Sequence, residues 1–285
     1  MNATLDHYLT AWHLSDPRPL AQTPTSYLYT VSWKGDTVVL KLLRDYGWEE
    51  QRGASALRYF DGRGAVRLYR SEATAQLLEY ARGEELVGLV ERGADQDATR
   101  IIAAILEQLH GAPQGEHRDG LLLLKDWFRE LFNKAESDRA AGVESIYLRG
   151  ADIAARLLAN PREVRVQHGD IHHRNIRQSP RGWLAFDPKG LVGERTYDCA
   201  NTLCNPFRGQ PRYDELVHDE RRLLTNARIL SEALDIELGR VLQFTFAYAC
   251  LSATWSLTAH DSDAAQWALN VATLLEPYCR AESRR

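Results

Sequence analysis

Between residues 164 and 190 the chain reads VRVQHGDIHHRNIRQSPRGWLAFDPKG, and three of its polar side chains have types and spacing suited to phosphoryl chemistry. A short apolar run delivers His168, Gly169 and Asp170 into a loop; Asn175 stands five residues after the aspartate, and Asp187 follows a second apolar run, WLAF. Transfer of a phosphoryl group spreads negative charge over the migrating group. A divalent cation on hard oxygen ligands must therefore lie against it, and a carboxylate must take the proton of the attacking hydroxyl. Asn175 and Asp187 supply hard oxygens for Mg²⁺, which leaves Asp170 to orient and deprotonate the nucleophile.

The protein-kinase catalytic loop shows the same five-residue step from base to magnesium ligand, with a second metal-binding aspartate after the next strand. Two other readings compete. HGD alone is also an ordinary turn in which Gly169 supplies permissive backbone. The imidazoles of His168, His172 and His173 suggest zinc, but that reading needs a helix where strands flank the segment, and it leaves Asn175 and Asp187 without a role. His168 is better suited to brace the loop.

A phosphoryl-transfer centre needs a nucleotide site. Lys41 lies within VVLKLL, where a buried lysine requires a charged partner, and Glu49 or Glu50 on the following segment can provide it. No GxGxxG precedes or occupies residues 26–33; TPTSY instead offers Thr23, Thr25 and Ser26 as hydroxyl and backbone donors for phosphate. In LLEYARGEEL the backbone carbonyl of Glu79 and the N–H of Ala81 can meet a purine, because an extended hinge leaves main-chain groups unpaired.

Elements must hold these residues in place. SYLYTVSW (26–33) and TVVLKLL (37–43) predict a hairpin around Lys34, Gly35 and Asp36. Ala54, Leu57 and Phe60 share one helical face over residues 48–60, and GRGAVRLYRS and ATAQLLEYA read as two further strands. From residue 98 the period becomes helical: Ile101, Ile102, Ile105, Leu106 and Leu109 precede a stop at Gly111. Helices are expected over about 120–140 and 145–160. Three more fill 213–282, with Leu216, Leu223, Leu230 and Leu234 on one stripe and short strands at 164–187 between the blocks. The expected fold is α+β and bilobal: a small β-rich N-lobe over residues 1–80, a hinge near 79–85, and a larger, mainly helical C-lobe over 81–285, with the ligand in the cleft.

The 285 residues, 44% hydrophobic and 26% charged, suffice for a sizeable core and exclude a disordered or fibrous chain. A net charge of −4 argues against a nucleic-acid partner and suits a cationic small molecule. No apolar run approaches the ~20 residues that span a bilayer, and the amino terminus lacks a signal-peptide pattern, so a cytoplasmic monomer is expected. Cys199, Cys204, Cys250 and Cys279 form no CxxC pair and read as buried, reduced thiols.

With HGDIHHRN at 168–175 and DPKG at 187–190, the chain resembles the aminoglycoside phosphotransferase family, which shares the protein-kinase fold. GRGAVRLY, LLEYARGE and RGWLAFDPKGLVGERTYDCAN are similar to its streptomycin 6-phosphotransferase group, which includes hydroxyurea-resistance kinases. The resemblance implies ATP or GTP as donor with Mg²⁺, Asp170 as base, Asn175 and Asp187 on the metal, Lys41 paired with Glu50, and a hinge at Glu79 to Ala81. It also implies the 6-hydroxyl of streptomycin as acceptor. The guanidinium groups of that substrate call for carboxylates. Glu194 is the best placed, with Asp198 a second candidate that equally suits an N-cap or a loop brace. Asp214, Glu215, Asp219 and Glu220 read as a solvated face, and Trp255 and Trp267 as core more than as stacking surfaces. Lys189 either touches phosphate or braces the loop. The alternatives are a kinase of the same fold acting on another metabolite or on hydroxyurea, and a nucleotide-binding protein without catalysis.

Overall fold

The hairpin expected at residues 26–43 forms as β2 (Ser26–Trp33) and β3 (Asp36–Leu43), closed by Lys34 and Gly35, both at positive φ. In this computed structural model, residues 5–44, 50–113, 119–206 and 211–280 are described. β3 pairs on its other side with β5 (Ala75–Glu79), and β5 with β4 (Leu68–Glu72). β1 (Ser15–Gln22) pairs with β2, giving an antiparallel sheet ordered β1-β2-β3-β5-β4. α1 (Leu5–Trp12) packs Tyr8 and Trp12 against Val31, Val38, Leu40 and Leu77 of the sheet. Neither α1 nor β1 is signalled by alternation: β1 is exposed throughout and carries Pro17 and Pro19, which only an edge strand tolerates.

α2 (Glu50–Phe60) follows β3 in the chain, but its apolar face belongs elsewhere. Ala56, Leu57 and Phe60 join the large core of the helical lobe and not the small cluster beneath the sheet.

The segment after β5 runs to α3 (Val87–Glu91) and α4 (Asp95–His110). Then come β6 (Leu122–Leu123), α5 (Leu124–Trp127), α6 (Arg129–Ala140) and α7 (Ile146–Ala159). The island of strands comprises β7 (Val164–Gln167), β8 (Ile176–Ser179), β9 (Gly182–Ala185) and, beyond the expected limit, β10 (Leu191–Glu194). β8 and β9 form a hairpin; β10 lies between β7 and β6. α8 (Tyr197–Leu203), α9 (Pro211–Val217), α10 (Glu220–Leu234), α11 (Leu238–Thr258) and α12 (Ser262–Arg280) complete the lobe.

The leucine stripe expected over one helix is divided. Leu216 lies on α9, whereas Leu223, Leu230 and Leu234 are buried on α10, whose start is capped by Asp219 accepting from the N–H groups of Arg221 and Arg222. Asp214 accepts from Trp267 Nε1 at 2.9 Å and Glu220 from the Tyr278 hydroxyl at 2.6 Å, so three of the four acids expected on a solvated face hold local structure together. Trp267 is buried in the core, and Trp255 packs edge-on against Trp127 with ring centroids 5.0 Å apart. The four cysteines are buried and form no disulfide.

Candidate active site

β7 ends at Gln167, and the chain turns at once through His168 and Gly169 into Asp170. Gly169 has φ +80°, and a Cβ there would press on the Leu191 side chain at 2.8 Å, so glycine is required. Asp198 on α8 gathers this turn, accepting from the N–H of His168 at 3.1 Å, the N–H of Gly169 at 2.7 Å and His110 Nε2 at 2.9 Å. With both oxygens taken and 1% exposure, Asp198 is a loop brace; the reading that places it on the substrate is corrected. His168 is hydrogen-bonded through both ring nitrogens: Nε2 donates to the Phe186 carbonyl at 3.0 Å and Nδ1 accepts from the Asp170 N–H at 3.3 Å. Complete burial outweighs the nearby Asp198 and Asp170 carboxylates and lowers its pKa, favouring the neutral ring that this bonding needs.

The loop bearing Asp187 is laid against the loop bearing Asp170 by backbone bonds, Phe186 N–H to Asn175 O at 2.9 Å and Lys189 N–H to His168 O at 2.7 Å. Asp187 adopts φ +61°, a region non-glycine residues seldom occupy and one that recurs at functional sites. Lys41 lies between two carboxylates, 2.6 Å from Glu50 Oε2 and 2.6 Å from Asp187 Oδ1. Burial lowers the lysine's pKa, but Asp187 and Glu50 outweigh it and raise the value, so the ammonium stays charged. Burial likewise pushes Asp187 up, whereas Lys41 and Lys189 bring it down to about 2. Thr25 Oγ1 donates to the other Glu50 oxygen at 2.7 Å, which fixes the pairing to Glu50; Glu49 lies outside the described residues.

Asp170 is reached from several sides. Asn201 Nδ2 donates to Oδ1 at 2.6 Å, Asn175 Nδ2 reaches Oδ2 at 3.3 Å, and Lys189 Nζ stands 3.6 Å from Oδ2. Asn175 Nδ2 also donates to the Asp170 carbonyl at 2.9 Å, so the amide nitrogen faces the Asp170 loop and Oδ1 is left for another partner. That oxygen and the Asp187 carboxylate are the hard donor pair that suits Mg²⁺, which takes one or two protein ligands and completes its shell with phosphate and water. Among the described residues no group of three or more His, Cys, Asp or Glu could hold a metal, which leaves the imidazole-based zinc reading without a site. His173 turns inward and is fully buried.

Between the lobes opens a cleft of about 560 Å³. Leu28, Val39, Val66, Leu78 and Phe186 make its apolar walls; Lys41, Glu50, Asp187 and Lys189 stand at its polar end, and Glu79, Tyr80 and Ala81 line the hinge. The Glu79 side chain is engaged by Arg181, with Nε to Oε1 at 2.9 Å, so the hinge can offer only backbone there. Ser26 lines the cleft but is 1% exposed, and its hydroxyl bonds Thr23 Oγ1 at 2.9 Å; a free hydroxyl for phosphate is not what the fold presents.

Glu194 is also corrected. It is 2% exposed at the end of β10, paired with Arg240 of α11 (Nε to Oε1 2.7 Å) and bonded by the Thr196 hydroxyl and the Arg162 N–H at 2.9 Å each. A carboxylate with these partners is unavailable to a substrate cation. Sequence order could not show this, because Arg240 lies on a remote helix. Asn201 and Arg181 went unnoticed for the same reason, although Asn201 stands in the YDCAN run.

A small antiparallel sheet over a helical lobe, with a lysine–glutamate pair and two aspartate-bearing loops facing the cleft, defines a protein-kinase-like α+β fold. The ternary complex of a thermostable mutant of aminoglycoside phosphotransferase APH(4)-Ia with ADP and hygromycin B shares it, with a TM-score of 0.64, 14% identity, and 98% of this chain and 99% of that one covered. Choline kinase from Cryptosporidium parvum Iowa II follows at 0.58 and 13%, covering 94% and 89%. The chain belongs to the aminoglycoside/hydroxyurea antibiotic resistance kinase family, whose sequence model matches residues 11–259. It is 36% identical to a streptomycin 3''-kinase of Klebsiella pneumoniae, over 86% of this chain and 89% of that one. A streptomycin 6-kinase of Streptomyces griseus is 31% identical over 70% and 65%, and a hydroxyurea phosphotransferase of Kitasatospora aureofaciens 32% over 82% and 73%.

Proposed function

We propose that this chain transfers the γ-phosphoryl group of ATP to a hydroxyl of streptomycin. The observation that carries the reading is one cleft lined by Lys41, Glu50, Asp187 and Lys189 together with apolar Leu28, Val39, Val66, Leu78 and Phe186, with Asp170 3.6 Å from Lys189 and Asn175 bonded to Asp170. Lys41, held by Glu50, meets the α- and β-phosphates; the purine lies between Leu28, Val39 and Phe186 against the hinge backbone of Glu79 and Ala81. Asn175 Oδ1 and Asp187 hold magnesium, which when bound neutralises charge on the phosphates. Asp170 orients the acceptor hydroxyl and takes its proton, and Lys189, beside both aspartates, offsets negative charge where the phosphoryl group passes.

The 3''-hydroxyl is favoured over the 6-hydroxyl, because the 3''-kinase of Klebsiella pneumoniae matches at higher identity and over more of both chains than the 6-kinase of Streptomyces griseus. A second reading, transfer to hydroxyurea, is supported by the relative from Kitasatospora aureofaciens. Nucleotide consumption with Mg²⁺ and, in turn, streptomycin, dihydrostreptomycin, other aminoglycosides and hydroxyurea separates these readings. Turnover with streptomycin and a phosphoester at the 3'' position by NMR is the expected result; no turnover with any streptomycin compound would sink the proposal.

A further inference from the structure

We infer that Asn201 is a positioning residue that fixes the rotamer of the Asp170 carboxylate. The inference rests on the reading of Asp170 as the base. Of the donors around that carboxylate, Lys189 also answers to Asp187, and Asn175 must keep its Oδ1 for the metal, so each has a second task. Asn201 makes the shortest contact, 2.6 Å from Nδ2 to Oδ1, and comes from a different element, α8. It is a neutral donor. An amide orients a carboxylate with less loss of basicity than an ammonium at the same place, which stabilises the ionised form more strongly.

Asn201 is itself held. Its Oδ1 accepts from Asn205 Nδ2 at 2.6 Å, and the same nitrogen bonds the Asn201 carbonyl at 2.9 Å. The Asn205 carbonyl accepts from Arg222 Nη2 at 2.9 Å, and Arg222 grips Asp95 with Nε at 2.9 Å and Nη2 at 2.8 Å. Asn201, Asn205 and Arg222 are all at least nine-tenths buried, so water does not compete for these bonds. Asp198, Asn201, Thr202 and Asn205, at helical spacing, all turn toward the loop or toward one another: Asp198 binds the His168 and Gly169 N–H groups, and Thr202 Oγ1 donates to the Ile171 carbonyl at 3.0 Å. The side of α8 that meets the catalytic loop is thus polar by construction, with one member on the base.

The test is steady-state kinetics with Mg²⁺-ATP and streptomycin, alongside ATP hydrolysis with water as acceptor. Asn201→Ala is expected to lower kcat about 10- to 100-fold in both reactions, with KM for ATP and affinity for AMP-PNP within about threefold of wild type. Asn201→Asp keeps the volume but not the donor, and falls at least as far, so a packing defect in the alanine variant cannot mimic the result. Asn205→Ala gives a smaller loss, and the double variant Asn201→Ala/Asn205→Ala is no slower than Asn201→Ala alone, because the two act through one contact. An unchanged kcat in Asn201→Ala, a rise in KM alone, or additive losses in the double variant would overturn the inference. Asp170→Ala separates it from the reading beneath: if that variant kept its turnover, the assignment of the base fails, whereas a slow Asp170→Ala beside a fast Asn201→Ala removes only the role of Asn201.

Discussion

Two carboxylates in adjacent loops are given different work by their neighbours. Asp187 faces two ammonium groups, which hold it ionised against its burial, whereas the shortest contact to Asp170 comes from a neutral amide. Asp170→Ala should lower turnover about 10²- to 10⁴-fold and leave nucleotide affinity intact, as kinetics and AMP-PNP titration together will show. Asp187→Ala should instead weaken magnesium-dependent nucleotide binding, visible as a lost difference between titrations with and without Mg²⁺. These residues were legible in the sequence because the chemistry dictates their type and a single loop dictates their spacing. Glu194 and Asp198 were not, since what withdraws them from the cleft is Arg240 in one case and the His168–Gly169 backbone and His110 in the other, groups brought together by tertiary folding.

Helix α2 is packed on the Asp187 loop through two glycines. A Cβ on Gly53 would lie 2.5 Å from the Pro188 carbonyl oxygen, and one on Gly190, at φ +68°, would overlap the Arg52 carbonyl. Backbone therefore meets backbone at two points where α2, which bears Glu50, packs on the loop that bears Asp187. Gly190→Ala should separate them, costing about 1–3 kcal/mol of stability in chemical denaturation and weakening Mg²⁺-nucleotide binding at the same time. Elsewhere an element-level bond is purely structural: Arg240→Leu strands the buried Glu194 carboxylate and should destabilise by about 3–5 kcal/mol, with KM for the acceptor unchanged in the fraction that folds. The β2–β3 hairpin and α4 were legible from their apolar periods. The edge strand β1, fully exposed and proline-bearing, offered no period to read.

Across the whole molecule, the small sheet has its own modest core with α1, while α2 shares the large core of the helical lobe. Its interior also contains His173, fully buried with neither ring nitrogen hydrogen-bonded, and burial together with Arg222 pushes its pKa down to about 3. The native ring is then neutral while the unfolded one, with a pKa near 6.5, binds a proton below that pH. Stability should fall as pH drops from about 6.5 toward 3, by up to about 1.4 kcal/mol per unit from this group, and His173→Leu should flatten that slope in denaturant midpoints measured across the range.

The central claim is that the cleft moves a phosphoryl group to a hydroxyl with Asp170 as base. It is tested most directly by mixing wild type and Asp170→Ala with Mg²⁺-ATP and streptomycin and following phosphoester formation by ³¹P NMR. A new phosphoester with wild type, formed at least about a hundredfold more slowly by a variant that still binds AMP-PNP, is the predicted result. Equal rates for the two proteins, or no phosphoester with wild type, would contradict it.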